Sequence, residues 1–395
     1  MKLLVVSHTP HYLQDGIPVG WASTVREIDQ LARLFDSVTH LAVLNPGSAP
    51  QSSVGYQAKN VEFLPVKPAG GESWKAKPGI LLAYPQYWLK LQRAISQLDE
   101  QDCIHVRCPA NLSLLAICWL ALTSRPRCRW VKYAGNWQPA GKQPYSYRFQ
   151  RWWLKRNLHR GTVTVNGKWL QQQPHVYSFP NPSFSQQELM ASKVSAASKQ
   201  LEPTIKLLFI GRVEEAKGTG RVIEIARLLR DRGVKFHVDI VGDGEKLSLY
   251  QAEVKRLMLD ESFLFHGWLN RDDLSGLFAQ AHFLVLPSAS EGWPKVLSEG
   301  MSYGVVPLAG AVSSIPQILN DFQTGQALDP YDPAGFVQAI LGYAAHPDQW
   351  KAESLAGLAA AEQFTYEQYL QRVIDMFQRS WGASLSLNHR EEIHG

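Results

Sequence analysis

The sequence predicts an α/β protein of two domains, each a parallel sheet covered by helices, and three observations carry that expectation. At 395 residues the chain is too long for one ordinary core and suits two domains of about 150–200 residues. Short apolar runs alternate with helix-patterned segments from end to end, as βαβ units require. A stretch rich in Ser, Gln, Lys and Ala, residues 183–203, interrupts the alternation near the middle and is closed by Pro203. A hydrophobic content of 45% with 19% charged residues excludes a mainly disordered chain.

Taken in order, the first half offers strands at residues 2–7, 38–44, 103–107 and 129–134. Val25, Ile28, Leu31, Ala32 and Phe35 recur at helical spacing and predict a helix from Thr24 to Phe35. The first domain is expected over 1–190 and the linker over 191–203. The second domain, 204–364, restarts with a strand at Ile205–Ile210 and a helix at Arg221–Arg232 closed by Gly233. A strand at Phe236–Val241, a helix near Leu247–Leu257 and a strand at Phe283–Leu286 follow. Tyr366, Tyr369, Leu370, Val373, Ile374 and Phe377 predict a late amphipathic helix over 365–382, and residues 383–395 read as a disordered tail. Two such domains facing each other would place a site in the cleft between them, at the C-terminal ends of the strands.

Charge is unevenly spread. The formal +5 divides into zero over residues 1–102, +12 over 103–187 where no acid occurs, and −7 over 188–395. Eight of the 13 Trp lie from Trp74 to Trp169, beside or within the basic block. The opening Leu3-Leu4-Val5-Val6 is too short for a signal peptide, and the run Leu112–Leu122 is about half a membrane span. Cys103, Cys108, Cys118 and Cys128 match no zinc spacing and read as ordinary reduced thiols. A cytoplasmic protein without a membrane span is expected.

The densest motif runs from Ser288 through Glu291-Gly292-Trp293-Pro294-Lys295 to Glu299-Gly300-Met301 and Gly304. It follows a strand and opens a helix, where free backbone N–H groups and the positive dipole end suit a phosphate or sugar hydroxyls. Glu291 falls in the loop ahead of the helix and Glu299 inside it. Alone, this would read as two solvated acids at a helix start. A second loop, Gly211-Arg212-Val213-Glu214-Glu215-Ala216-Lys217-Gly218, also follows a strand, and its Arg and Lys can clamp a diphosphate.

The joint pattern Gly-Arg…Lys-Gly, then Pro-Ser…Glu-Gly…Glu-Gly-Met…Gly-x-x-Pro, resembles the retaining nucleotide-sugar glycosyltransferases of family 4, over about residues 205–330. The resemblance implies the GT-B fold, two Rossmann-like domains facing a central cleft. It implies that Arg212 and Lys217 stabilise the departing diphosphate, that Glu299 binds the ribose hydroxyls, and that Glu291 contacts the transferred sugar. Backbone amides of Gly292, Trp293 and Lys295 are then the donor contacts, Pro294 having no N–H. Transfer to a glycan or lipid-linked acceptor with retention is expected, without a cofactor. No Asp-x-Asp occurs, so Arg212 and Lys217 would do a metal's work. A non-catalytic sugar-binding protein and an epimerase or phosphorylase of the same fold are the alternatives; a nicotinamide dehydrogenase is disfavoured because no Gly-x-Gly-x-x-Gly occurs.

In the first half, the loop Asp15-Gly16-Ile17-Pro18-Val19-Gly20 resembles the glycine loop that closes over the donor phosphates in this family, against a plain surface loop. Where many members carry a His, this chain has Gly135-Asn136-Trp137, so Asn136 is the donor-contact candidate. His105 and Arg107, on the neighbouring strand end, are further candidates to face the cleft, against a structural histidine, the commoner case. On a wheel of residues 145–160, Arg148, Arg151, Lys155 and His159 fall on one side and Tyr145, Phe149, Trp152 and Trp153 beside them, with Arg156 and Arg160 intruding. That pairing suits an anionic membrane surface on the inner face; a domain helix with its aromatics in the core is the alternative. No nucleic-acid motif is present, and no nucleic-acid partner is expected.

Overall fold

The computed structural model describes residues 1–69, 77–139, 141 and 143–387. Trp74 and residues 388–395 of the expected tail lie outside the described residues. The chain divides into two compact units, one of residues 1–179 with the chain from Leu370 onward, the other of Pro180–Tyr369.

The first unit opens with β1 (Lys2–Gln14), β2 (Ile17–Trp21), α1 (Ala22–Ala32), β3 (Ser37–Leu44), β4 (Ser53–Gly55), β5 (Val61–Val66) and α2 (Lys77–Ser96). It continues with β6 (Cys103–Cys108), α3 (Asn111–Leu122), β7 (Cys128–Tyr133), α4 (Tyr145–Lys155), β8 (Thr162–Val165) and β9 (Val176–Ser178). β1 pairs in parallel with β3 and β6, and its far half turns back antiparallel on β2. From β1 the chain builds outward through β3 to β5, then returns to add β6, β7, β8 and β9 on the other side. One face of the sheet buries Leu4, Val6, Ile104, Val106 and Val131 against Leu91 of α2, Leu120 of α3 and Leu154 of α4. All four cysteines are free thiols.

The opposite face is equally buried and carries polar groups among apolar ones such as Leu3, Val5 and Trp130. Glu27 of α1 accepts from Lys132 Nζ at 2.7 and 2.9 Å and from Arg107 Nη1 at 2.8 Å. Ser7 Oγ lies 2.7 Å from His40 Nε2, His40 Nδ1 lies 2.5 Å from the Tyr56 hydroxyl, and that hydroxyl lies 2.8 Å from His11 Nε2. Burial holds the His11 pKa down at about 4 and that of His40 well below the usual imidazole value, so both rings are neutral near pH 7.

The second unit comprises α5 (Gln186–Ser198), β10 (Ile205–Ile210), α6 (Thr219–Arg230), β11 (Phe236–Val241), α7 (Leu247–Arg256), β12 (Phe263–Gly267), α8 (Arg271–Gln280) and β13 (Phe283–Leu286). Then come α9 (Lys295–Ser302), β14 (Val306–Gly310), α10 (Ile315–Phe322), β15 (Gln326–Leu328), α11 (Pro333–Ala345) and α12 (Pro347–Ala360); the last helix, α13 (Tyr366–Trp381), begins in this unit and from Leu370 on belongs to the first. The sheet is all parallel in the order β12-β11-β10-β13-β14-β15, and its central strand β13 is apolar and buried along its whole length.

Three expectations change. The linker 191–203 is not a loose connection: Gln186–Ser198 is helical, started by a capping box in which Ser185 and Glu188 satisfy each other's backbone N–H, and Leu189 enters the second unit's core. The boundary between units lies instead at Phe179 and Pro180. The loop at Asp15–Gly20 is a tight hairpin turn in which Asp15 (φ 52°) and Gly16 (φ 79°) both take positive φ, followed by the strand Ile17–Trp21. At the other end of the chain, Phe377 packs edge-on against Phe35, and Ser380 Oγ accepts from the Thr162 hydroxyl at 3.1 Å. Residues 383–387 are described, with Leu385 buried.

Candidate functional site in the second unit

Strand order dictates where a site can form. From β10 the chain moves to β11 and β12 on one side, then returns to place β13 and β14 on the other. The loops after β10 and β13 therefore diverge and leave a crevice at the C-terminal ends of these two strands.

Both sequence motifs lie on these loops and meet there. Lys217 Nζ contacts Glu291 Oε1 at 2.6 Å, with the two side chains 28% and 10% exposed. The loop backbones are locked together: Ala289 N–H donates to Ala216 O at 3.1 Å and Ser288 Oγ donates to Lys217 O at 3.2 Å. Gly218 begins α6 at φ 90°, and a Cβ there would lie 2.4 Å from Pro287 O. Glycine is thus what lets the lysine loop close on the β13 loop. Arg221, one turn into α6, fixes the same carbonyl with Nε and Nη2 at 2.9 and 2.7 Å.

The Glu291 loop is held open toward its own backbone. Trp293 is buried and stacks parallel on Phe364 at 5.3 Å, and Ser314 Oγ donates to Gly292 O at 3.3 Å. Among the described residues, no acceptor faces the N–H groups of Ser290, Glu291, Gly292 and Trp293. α9 starts at Lys295 with Pro294 as its N-cap and no side-chain cap, so the positive end of its dipole adds to these donors. Glu299 sits in the second turn of that helix, half-buried. Four N–H groups, a lysine and a helix N-terminus form an anion- and hydroxyl-binding arrangement.

The remaining candidates stand elsewhere. Arg212 is 71% exposed and pairs at 3.4 Å with Glu214 on its own loop, not with Lys217 or Glu291. Gly16 lies in the exposed β1–β2 turn and Asn136 caps the Gln138 N–H at 3.0 Å, both in the first unit. His105 is wholly buried against the Trp130 ring, and Arg107 is engaged by Glu27, so neither is a surface group. The missed participants are Ser288, Ser314 and Phe364, which shape the Glu291 loop; only Ser288 belongs to a motif visible in the sequence.

Residues 192–352 match the family model described as glycosyl transferases group 1. The matched segment contains the two-loop crevice and every residue named in it except Phe364. A D-inositol 3-phosphate glycosyltransferase of Streptomyces coelicolor is 25% identical over 179 residues, 43% of this chain and 39% of that protein. A lipopolysaccharide 1,6-galactosyltransferase of Escherichia coli is 27% identical over 177 residues, 43% and 47% of the two chains. The chain thus spans less than half the length of the curated relatives it matches. Among solved structures, sucrose-phosphate synthase from Thermosynechococcus elongatus covers 96% of this chain and 98% of its own with a TM-score of 0.71 at 14% identity. The Anabaena protein Alr3699/HepE in complex with UDP and glucose covers 96% and 100%, with a TM-score of 0.66 at 15% identity. These likenesses show the fold, that of the GT-B glycosyltransferases.

Proposed function

We propose that this protein is a retaining, metal-independent glycosyltransferase that moves a hexose-type sugar from a nucleoside-diphosphate sugar to a glycan or lipid-linked acceptor, in surface polysaccharide or glycoconjugate synthesis. The observation that carries the proposal is the meeting of Lys217 and Glu291 at the β10/β13 crevice, beside four N–H groups without acceptors. Cleaving a sugar–phosphate bond builds negative charge on the leaving diphosphate and positive charge on the sugar. Lys217, with Arg212 swung inward, would stabilise the first, and the carboxylate of Glu291 the sugar face. The N–H groups of Gly292, Trp293 and Lys295 would bind donor oxygens, and Glu299 the ribose. The contacts expected of Gly16 and Asn136 belong to the same proposal. The acceptor hydroxyl would attack on the leaving-group face and give its proton to the leaving phosphate oxygen, which conserves the anomeric configuration.

The proposal places the protein at the cytoplasmic face of the membrane, held by α4. There the structure revises the wheel. Tyr145, Arg148, Phe149, Trp152 and Arg156 form the outward stripe, whereas Arg151 donates to the Tyr133 hydroxyl at 2.8 Å, Lys155 lies over the Trp137 ring and His159 is buried. The segment is helical only to Lys155, and Asn157 (φ 54°) turns the chain away. The exposed stripe mixes aromatic rings with arginines, a composition suited to anionic headgroups. No helix among the described residues is long and apolar enough to cross a membrane.

The test is a panel of nucleoside-diphosphate sugars incubated with membrane and glycan extracts, following release of nucleoside diphosphate and the anomer formed, with and without chelator. Donor consumed without acceptor would favour an epimerase, hydrolase or phosphorylase; donor unchanged throughout would favour a binding protein.

A further inference from the structure

Resting on the donor site just proposed, we infer that Glu291 exchanges partners on donor binding: it is parked on Lys217 while the site is free of donor, and the incoming diphosphate takes over the lysine and releases the carboxylate to the sugar. The geometry makes both roles compete. Lys217 reaches Glu291 at 2.6 Å, within charge-assisted hydrogen-bond range, and the carboxylate is only 10% exposed. A diphosphate brought to the same ammonium would meet a carboxylate already there, and two anions cannot share one lysine without repulsion.

The surroundings hold both loops in place, so the exchange falls to the side chains. The Ser288 bond to Lys217 O, the Ala289 bond to Ala216 O and the close passage of Gly218 under Pro287 O join the two loops, and Trp293 on Phe364 anchors the Glu291 loop further. The backbone N–H groups from Ser290 to Trp293 have no acceptor among the described residues, so anion-binding donors stand beside the pair. A rotation of the Glu291 side chain is then enough to free the ammonium. The parked ion pair holds the ammonium oriented toward the crevice before the donor arrives, and it handicaps ligands that carry the diphosphate but no sugar. A bare nucleoside diphosphate displaces the carboxylate and gives it nothing in return, whereas a sugar-bearing one supplies hydroxyls. Glu291 in this scheme discriminates substrate from product.

Calorimetric titration of wild type and Glu291→Gln with UDP, GDP and ADP, and with the matching nucleoside-diphosphate glucoses, separates the outcomes. The glutamine keeps the size and removes the charge. The expected result is that Glu291→Gln binds the effective nucleoside diphosphate about fivefold more tightly, as loss of a partly buried ion-pair competitor predicts, while its preference for the sugar-bearing form over the bare one falls. Glu291→Ala, which removes the contact altogether, should move the same ratio in the same direction, and an unchanged unfolding midpoint shows that each variant is folded. A bare nucleoside diphosphate bound equally or more weakly by both variants overturns the exchange and leaves the donor site standing. A wild type that binds none of the probes overturns the donor site and the exchange with it.

Discussion

Gly242 runs so close beneath Gly211 that a Cβ added to it would lie 1.9 Å from the Gly211 carbonyl oxygen, while its own φ is +131°. The contact ties the end of β11 to the start of the Lys217 loop, together with the Gly211 N–H bond to Val241 O at 3.0 Å and the Val213 N–H bond to Asp243 O at 3.0 Å. Gly242→Ala faces both a backbone clash and a forbidden dihedral, so it should lose about 3 kcal/mol or more of stability and displace the lysine loop. Denaturant unfolding beside nucleoside-diphosphate titration checks this; a variant within about 0.5 kcal/mol of wild type would refute the close approach.

Lys217→Ala removes the cation that pairs with Glu291 at the crevice. Turnover should fall roughly 10²–10³-fold, because a positioned charge at the leaving group acts in the transition state. Arg212→Ala should cost less, since its guanidinium sits 71% exposed and must move to help. Near-normal rates for Lys217→Ala would remove it from the mechanism.

Lys199 supplies a pH signature. Its ammonium donates to Phe278 O at 2.7 Å and Ala281 O at 2.9 Å at the end of α8, yet burial pulls its pKa from the ordinary 10.5 down to about 7. Between those values the unfolded chain binds more protons than the folded one, so this group makes stability rise with pH, by at most ~1.4 kcal/mol per unit, and its effect is constant below about 7. Lys199→Met should flatten the stability profile between about pH 7 and 10. Parallel profiles for the two proteins would mean that the amine titrates normally.

The α4 stripe makes a distinct prediction from the wheel. Reversing charge at Arg148 and Arg156 should weaken binding to vesicles of anionic lipid about tenfold or more, each base being worth about 1 kcal/mol near such a surface, and Trp152→Ala should add to the loss. Arg151 and Lys155 face inward, so their reversal should cost stability instead. Vesicle flotation against zwitterionic controls distinguishes these effects, and equal vesicle binding by the Arg148/Arg156 variant would exclude α4 as the contact.

The strands of the second unit were legible to the residue at Ile205–Ile210, Phe236–Val241 and Phe283–Leu286, because each is a short, mainly apolar run followed directly by Gly or Pro. Lys217 and Glu291 were legible as candidates because each motif sits where a strand ends. Their direct contact was not: it depends on β10 and β13 being neighbours, which spacing along the chain does not reveal. The helix at Gln186–Ser198 was hidden by composition, since Ser, Lys and Ala read as a linker unless the Ser185-x-x-Glu188 cap is noticed. On α4, periodicity set the basic arc beside the aromatic one, but the exposed stripe cuts across both, because Tyr133 and Trp137, strand and loop residues distant in sequence, draw Arg151 and Lys155 inward.

The hydrogen-bond chain of the first unit orders its protons. His11 Nδ1 faces the Thr9 carbonyl at 3.0 Å and carries the hydrogen toward it, so Nε2 accepts from Tyr56. The Tyr56 oxygen then accepts from His40 Nδ1, and His40 Nε2 accepts from the Ser7 hydroxyl. Both rings are thereby fixed as the same tautomer, and the chain has a direction, running from Ser7 to Thr9. A proton added to either imidazole turns a hydroxyl of Tyr56 or Ser7 from donor to acceptor, so the chain has to reorient to take it up. β1, β3 and the segment around Tyr56 are in this way joined by one shared set of hydrogens.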